Sequence, residues 1–186
     1  MLDSMKRILI VEDDASLRRA LSAALTPLAS ALTACATVAA ARAELPGFQP
    51  EIVVLDVSLP DGDAFDVLDA IDALAAMPLV LAVSGQATPD QSFRLAQRGV
   101  RAFLPKPLDL ATLERTLGDL RARAPDLVPH VRAAVGHAPV HAVEKVVRQT
   151  MVAEALGRSH GSKNGAAKIL HVSRQLLQHM LRGTPS

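Results

Sequence analysis

The stretch EIVVLD, residues 51–56, decides the fold of this chain because it holds four consecutive apolar residues between two acidic ones. An uninterrupted apolar run is typical of a strand in a parallel sheet, because such a strand is buried on both faces. Short runs elsewhere in the first two thirds of the chain predict further strands: KRILIV (6–11), LTACAT (32–37), LVLAVS (79–84) and AFL (102–104).

The segments between these strands have apolar residues three and four positions apart, which predicts amphipathic helices. The expected helices are 15–25, 38–45, 62–74, 88–97 and 109–122. Strands that alternate with helices form a parallel sheet with right-handed crossovers, so we expect an α/β domain with a doubly wound five-stranded sheet. Ligands of such sheets lie beyond the carboxyl ends of the strands, which makes the residues after each strand the candidates for function.

The composition is that of a soluble globular protein, with 49% hydrophobic and 21% charged residues in a chain of 186. The longest apolar runs are too short to cross a bilayer, and the N-terminal sequence does not have the pattern of a signal peptide. A single cysteine, Cys35, excludes an intrachain disulfide and fits a reducing compartment. We therefore expect a cytoplasmic protein that does not bind membranes.

Charge divides the chain into two parts, although the net charge is only +1. Residues 1–124 carry 12 Lys and Arg against 16 Asp and Glu, whereas residues 141–186 carry 7 against 2. Between them, residues 121–140 include three prolines and show little periodicity, which is typical of a linker. We therefore predict a domain over 1–122, a linker over 123–140 and a basic domain over 141–186 that contacts a polyanion.

Polar residues at the strand ends predict a cation site. The first strand runs into Glu12 and Asp13, and the third ends at Asp56. Because neighbouring carboxylates repel each other, they favour a hard divalent cation such as Mg²⁺. Ser84 ends the fourth strand, and Lys106, held between two prolines, follows the fifth. Each residue alone has an ordinary interpretation as a helix cap or a surface charge, but together they predict a phosphoryl site.

These motifs resemble those of receiver domains in two-component response regulators. The matching stretches are VEDD (11–14), VVLDVSLPDGDAF (53–65), VSG (83–85) and FLPKP (103–107), and the resemblance covers about residues 5–122. It implies a flavodoxin-like fold in which Asp56 is the phosphoacceptor. The aspartate would take a phosphoryl group from the phosphohistidine of a sensor histidine kinase.

The resemblance also implies roles for the neighbours of Asp56. The implied Mg²⁺ ligands are oxygen atoms of four residues: Glu12 (through water), Asp13, Asp56 and Ser58 (backbone carbonyl). Ser84 and Phe103 would be the switch hydroxyl and the switch aromatic residue. Lys106 would bond the phosphoryl oxygens, a contact we expect only in the phosphorylated protein, and the bond from Lys106 to Pro107 is typically cis in this family.

The C-terminal part predicts a helix from 141 to about 157 and two shorter helices at 163–170 and 173–181, with a turn at 171–172. The last two are spaced as in a helix-turn-helix. On the final helix an apolar stripe is expected to face inward: Leu176, Leu177, Met180 and Leu181. The opposite face offers side chains suited to base edges in a major groove: Arg174, Gln175, Gln178, His179 and Arg182. Lys163 is expected to contact phosphates.

GSKNGAAKILHVSRQLLQHMLRG, residues 161–183, also resembles the C-terminal helix-turn-helix of the Fis family, the factor for inversion stimulation. The resemblance implies DNA contacts from five residues: Asn164, Ser173, Arg174, Gln178 and His179. His171 stands where a turn glycine is usual, at a position expected to have a positive φ. Leu176 replaces a usual threonine.

The main interpretation is a phosphorylation-controlled transcription regulator of a compact two-domain class, since the sequence contains no G-x-x-x-x-G-K-[ST] motif of a central ATPase. It would bind double-stranded DNA as a homodimer and have no separate enzymatic activity. One alternative is a signalling adaptor whose C-terminal helices dimerise or bind protein. Another is a phosphatase of the haloacid-dehalogenase type, which requires Asp-x-Asp, whereas Val57 and Ser58 follow Asp56.

Overall fold

The computed structural model describes residues 6–86, 88–122 and 126–182. The chain divides into two compact units, Met1–Ala124 and Pro125–Ser186. The ends of the predicted domains (residues 1–5 and 183–186) and the start of the predicted linker (123–125) lie outside the described residues.

The first unit contains a five-stranded parallel sheet, whose strands are β1 (Lys6–Val11), β2 (Ala29–Cys35), β3 (Ile52–Asp56), β6 (Leu79–Ser84) and β7 (Val100–Pro105). Their order across the sheet is β2-β1-β3-β6-β7. A two-residue antiparallel ladder, β4 (Ser58–Leu59) with β5 (Gly62–Asp63), follows β3. The helices are α1 (Ala15–Leu25), α2 (Val38–Phe48), α3 (Ala64–Ile71), α4 (Pro89–Gln97) and α5 (Leu110–Ala122). This confirms the predicted five-stranded α/β domain.

The sheet has a hydrophobic cluster on each face because neighbouring residues of a strand point to opposite sides. Leu9 and Val11 belong to the cluster that α2, α3 and α4 complete, whereas Ile8 and Ile10 belong to the cluster that α1 and α5 complete. All five residues of β3 are buried, as the uninterrupted EIVVLD run predicts. The central strands are therefore rigidly held, and their carboxyl ends form one edge of the unit.

Several predicted elements have different bounds in the structure: the fifth strand spans Val100–Pro105 instead of 102–104, and the second and third helices end at Phe48 and Ile71 instead of 45 and 74. Two further differences have a local cause. The second strand spans 29–35 instead of 32–37, because Ala29 already pairs beside Lys6 and Thr37 is used to cap α2. The third helix begins at Ala64 instead of 62, because Gly62 and Asp63 pair with the preceding chain and Asp63 forms a capping box with Asp66. Local hydrogen bonds thus override the apolar spacing at both places.

The second unit contains α6 (Val128–Ala134), α7 (Val140–Arg158), α8 (Lys163–Ile169) and α9 (Arg174–Arg182). Among the described residues of this unit, five buried ones form the core: Val152, Ala155, Ala166, Ala167 and Leu177. Helix α6 lies within the segment predicted as a linker. Pro129 stands in its first turn, where the missing N–H of proline costs nothing, and α6 has no buried residue.

The prediction that Leu176 faces inward is wrong, since 47% of its surface is exposed. Leu177 is the buried residue of α9, and consecutive helix positions are rotated by about 100°, so Leu176 turns away from the core. His171 has a φ of 53°, which confirms the positive value expected at the turn. None of the described helices is long and apolar enough to cross a membrane.

Candidate phosphoryl and cation site

Three carboxylates meet at the carboxyl edge of the sheet. Strand β1 pairs with β3 so that Val11 lies beside Leu55, which makes Glu12 and Asp56 neighbours at the next position. Asp13 follows in the loop before α1, and one carboxylate oxygen from each of the three residues lies within 4.8 Å of the others. The structure therefore brings together the acidic residues that the sequence analysis predicted at this edge.

Lys106 reaches this site from the end of β7. The backbone N–H of Lys106 donates to the carbonyl of Ser84 at 2.8 Å, which aligns the end of β7 with β6, and the Lys106–Pro107 bond is cis, as expected. The ammonium Nζ lies 2.7 Å from Oδ2 of Asp56 and 2.8 Å from Oε1 of Glu12. These side chains are 24% exposed for Lys106, 5% for Asp56 and 1% for Glu12.

Lys106 already has partners in the unmodified protein, and its contact with phosphoryl oxygens stays a prediction. The ammonium already bonds two carboxylates in the unmodified protein. The physical reason is that a buried carboxylate without a counter-charge is strongly destabilising. Phosphorylation would thus rearrange an existing ion pair instead of creating a new one.

Burial and charge act in opposite directions on the ionisation of this cluster. Burial raises the pKa of Glu12, the bond from Lys106 lowers it only in part, and the charge of Asp56 raises it further, so the net direction is upward. Burial lowers the pKa of Lys106, but its bonds to Asp56 and Glu12 outweigh that effect and raise it overall. The ammonium of Lys106 is therefore protonated, whereas its positive charge compensates the buried carboxylate of Glu12 only in part.

The residues present fit a divalent cation. Among the side-chain polar atoms of the described residues, Oε2 of Glu12 is buried without a hydrogen-bond partner. Three carboxylates face one ammonium, so the cluster retains negative charge, and all its donors are oxygen atoms, the ligands that Mg²⁺ prefers. The backbone N–H of Ser58 donates to Oδ1 of Asp56 at 3.1 Å, which holds the loop that carries the Ser58 carbonyl next to the phosphoacceptor candidate.

The two predicted switch residues lie on neighbouring strands. Ser84 is buried at the end of β6, and its Oγ accepts a hydrogen bond from the N–H of Gln86 at 3.2 Å. Phe103 on β7 is half-buried and packs against the hydrophobic cluster that contains Leu95. Phe103 is also one of the residues that line a surface cavity of about 200 Å³ between β7 and α4.

The sequence analysis missed two residues that hold the loops of the site. A single nitrogen of Arg18, Nη1, donates to the carbonyl oxygens of Glu12 at 2.7 Å and Asp13 at 2.8 Å. The carboxylate of Asp61 accepts from the N–H groups of Val38 at 2.8 Å and Ala39 at 2.9 Å. Both contacts run from a side chain to backbone groups, so no residue pattern in the sequence identifies the partner.

The predicted DNA-contact residues are on the surface of the second unit. Seven of them are exposed and Gln178 is half-buried; the exposed ones are Lys163, Asn164, Ser173, Arg174, Gln175, His179 and Arg182. The Oγ of Ser173 accepts from the N–H of Leu176 at 3.1 Å, so this hydroxyl caps α9. A surface cavity of about 220 Å³ brings Lys163 together with Gln178 and Arg182.

Comparison with known proteins agrees with this geometry. Residues 8–118 match the family described as "Response regulator receiver domain". The chain is similar to the DNA-binding transcriptional regulator NtrC of Rhizobium meliloti, 32% identical over 111 residues, which are 60% of this chain and 23% of that protein. It is also similar to the response regulator protein PilR of Pseudomonas aeruginosa, 25% identical over 177 residues, which are 90% of this chain and 40% of that protein. The chain thus matches less than half of either relative.

Among solved structures, the non-phosphorylated HemR receiver domain from Leptospira biflexa superimposes with a TM-score of 0.58 and 28% sequence identity. It covers 64% of this chain and 97% of that one, which places the similarity in the first unit. The family match spans most of the residues that build the sheet and includes Glu12, Asp56 and Lys106. This chain belongs to the response regulator receiver domain family.

Proposed function

We propose that the protein is a phosphorylation-controlled transcription regulator that accepts a phosphoryl group on Asp56 from a sensor histidine kinase. The observation that carries the proposal is the cluster at the sheet edge. Oδ2 of Asp56 lies 2.7 Å from the ammonium of Lys106, and the carboxylates of Glu12 and Asp13 lie within reach of a shared cation.

The transfer follows from this arrangement. A carboxylate oxygen of Asp56 attacks the phosphorus atom of the phosphohistidine and forms an O–P bond as the P–N bond breaks. The leaving imidazole nitrogen keeps the electron pair and takes a proton from solvent. Mg²⁺ bound by Glu12, Asp13, Asp56 and the Ser58 carbonyl would neutralise charge on the phosphoryl oxygens.

Lys106 and Ser84 would transmit the effect of phosphorylation at Asp56 to the rest of the unit. The ammonium of Lys106 is a charge-assisted donor that can move from the carboxylates to a phosphoryl oxygen. Ser84 lies one strand away from Asp56, because Asp56 pairs beside Val83 in the sheet. We include no separate enzymatic activity in the proposal.

Phosphate labelling tests the assignment of Asp56. Asp56→Asn should abolish incorporation from acetyl phosphate in the presence of Mg²⁺. Asp90→Asn, which removes an exposed acid in the first turn of α4, should be labelled like the wild type. Stoichiometric label on the Asp56→Asn protein would show that another residue is the acceptor.

For the second unit we propose a Fis-type helix-turn-helix that binds double-stranded DNA. Support comes from the exposed basic and amide side chains of α8 and α9 and from the turn between them, where His171 has a positive φ. The candidate contacts are Lys163, Asn164, Ser173, Arg174, Gln175, Gln178, His179 and Arg182. The relative NtrC is named a DNA-binding transcriptional regulator, which agrees with this proposal.

We further propose that the DNA-binding form is a homodimer. Helix α7 exposes Val140, Val146, Val147 and Met151, of which Val146 is 62% and Met151 52% exposed. At about 100° per residue, Val140, Val147 and Met151 lie along one side of the helix, and Val146 is rotated by about 100° from Val147 and borders that side. Contiguous exposed apolar surface is characteristic of an interaction site. A second copy of the same helix would bury this side.

The same apolar side supports a second candidate function, a phosphorylation-controlled adaptor whose C-terminal helices bind protein. A mobility-shift assay with a selected DNA site at low and moderate salt separates the two functions. A transcription regulator should keep its preference for the site as the salt concentration rises. An adaptor should bind no DNA, or only DNA of any sequence at low salt.

A further inference from the structure

Arg18 connects α1 to the acidic loop through backbone atoms instead of carboxylates. Its Nη1 donates to the carbonyl oxygen of Glu12 at 2.7 Å and to that of Asp13 at 2.8 Å. The backbone N–H of Arg18 also donates to the carbonyl of Asp14 at 2.8 Å. Three consecutive carbonyl groups of the acidic loop are therefore bonded by this one residue.

The bonds from Arg18 affect what orients the acidic side chains of the loop. Glu12 is buried, and its carboxylate is already held by Lys106 and by the N–H of Asp14. Asp13 is exposed, so packing does not orient its side chain and the direction of its backbone decides where the carboxylate points. The bond from Arg18 to the Asp13 carbonyl acts on that backbone directly.

The choice of carbonyl partners also leaves the acidic oxygens available. A guanidinium that formed ion pairs with the carboxylates would compete with a divalent cation for the same oxygen atoms. Bonded to carbonyl oxygens, Arg18 orders the loop without occupying them. Its positive charge still repels a cation nearby. Ordering of the loop by Arg18 should raise the cation affinity and the repulsion should lower it, so the sign of the change in a variant shows which effect is larger.

We infer that Arg18 is a positioning residue for the cation site of the proposed phosphoacceptor function, on which this inference rests. It holds the Glu12–Asp13 backbone so that the two carboxylates converge with that of Asp56. Residues that orient metal ligands typically contribute a factor of about 10 to 100 in metal affinity. We expect the ordering effect to exceed the repulsion, so that loss of Arg18 weakens Mg²⁺ binding.

The test is a calorimetric Mg²⁺ titration of the full chain without a phosphoryl donor. Arg18→Met should bind Mg²⁺ about tenfold more weakly than the wild type, although it loses a positive charge. Arg19→Met is the matched control, because it removes the same charge from the next, exposed position of α1. Its affinity should equal or slightly exceed that of the wild type.

Amide hydrogen exchange in metal-free protein gives an independent measure of the loop. The amides of Asp13 and Asp14 should exchange faster in Arg18→Met and at the wild-type rate in Arg19→Met. Arg18→Lys keeps the charge and one donor group, so both of its values should lie between the wild type and Arg18→Met; this variant also decides the question if Arg18→Met does not fold.

Mg²⁺ affinity of Arg18→Met that equals or exceeds that of Arg19→Met, with unchanged exchange at Asp13 and Asp14, would overturn the inference. A wild-type protein without measurable Mg²⁺ affinity would instead overturn the cation site of the proposed function. In that case the exchange measurement still decides whether Arg18 orders the acidic loop. The two failures are therefore distinguishable.

Discussion

The two units of this chain hold their charged groups in opposite ways. In the first unit Glu12 and Asp56 are buried at the edge of a five-stranded sheet and share the ammonium of Lys106. In the second unit the basic side chains project from short helices, around a core of five buried residues. Buried charges need partners within the protein, so their chemistry can be deduced from the fold. The function of exposed charged and apolar groups depends on a partner outside the protein.

The second unit has a smaller hydrophobic core than the first, and the largest expected effect tests this difference. Leu177 is fully buried in the small core of the second unit, and Leu177→Ala should cost about 2–5 kcal/mol, which is comparable to the whole stability of a domain of this size. We expect the helices of the second unit to unfold while the sheet of the first unit persists. Circular dichroism and residue-resolved amide exchange measure this outcome.

Leu176→Ala is the matched control, because it removes the same groups from the adjacent, half-exposed position. Its stability should stay close to that of the wild type. Equal losses in both variants would contradict the assignment of Leu177 as the core residue of α9.

The next effect concerns the link between the units. Lys106→Ala should make the first unit less stable, because Glu12 and Asp56 stay buried without their counter-charge, and should weaken the influence of phosphorylation on DNA affinity. The response depends on the exchange of carboxylate partners for a phosphoryl oxygen at Lys106. Coupling between sites is typically about 1–3 kcal/mol, comparable to one hydrogen bond to a charged group at about 1.5–3 kcal/mol, so the variant should lose most of the phosphorylation response. The measurement is DNA affinity with and without an acyl-phosphate donor.

Lys6→Ala serves as the control for Lys106→Ala. Lys6 also forms an ion pair, with Glu51 at 2.8 Å, but at the opposite end of β1. It should leave the phosphorylation response unchanged. The role of Lys106 as the coupling residue would be refuted by a full response in Lys106→Ala.

A somewhat smaller effect tests what the exposed residues of the second unit contact. Arg174→Ala should cost about 1–3 kcal/mol at the preferred DNA site if the guanidinium bonds a guanine in the major groove. Lys163→Ala should weaken all sequences alike and reduce the salt slope by about one unit. Binding to selected and random DNA at several salt concentrations distinguishes the two variants.

The expected DNA site consists of two half-sites about one helical turn apart, because a lone helix-turn-helix binds weakly. If both variants match the wild type at every salt concentration, the DNA-binding proposal fails. The adaptor function would then be the better explanation of the exposed helices.

The smallest expected effect concerns Asp61, an acidic residue of the first unit that is exposed, in contrast to the buried Glu12 and Asp56. Hydrogen bonds from the N–H groups of Ala39 and Val38 lower the pKa of Asp61. A carboxylate with a lowered pKa stabilises the fold above its ordinary value of 3.8, and this stabilisation disappears as the pH falls through the lowered value. Asp61→Ala should therefore be less stable than the wild type at neutral pH, and the gap should narrow in acid.

Urea unfolding of Asp61→Ala from about pH 7 to well below pH 3.8, where Asp61 becomes protonated, measures this dependence. Asp61→Asn keeps an acceptor oxygen but no charge, so its loss should be smaller and should vary less with pH. A pH-independent gap for Asp61→Ala would mean that the ionised carboxylate is not what stabilises the start of α2.

Predictability from sequence differed between the two units. Uninterrupted apolar runs predicted the sheet, and the residues after the strands predicted Glu12, Asp13, Asp56, Ser84 and Lys106 as one site, because parallel strands share one edge. The apolar spacing of α9 was a weaker guide. It predicted that Leu176 faces inward. Helix α9 has nine residues and packs on a small core, so it buries fewer of its apolar residues than their spacing predicts.

The sequence by itself therefore determined the fold class of the first unit and the membership of its acidic site. The burial pattern follows from which residues are apolar, and this information is local. The tertiary structure alone decided that Lys106 bonds Glu12 and Asp56 before any phosphorylation, that Arg18 holds the acidic loop and that Asp61 caps α2. These contacts join side chains to groups from other elements, or to backbone atoms that every residue carries, so their partners are specified by packing and have no signature in the chain.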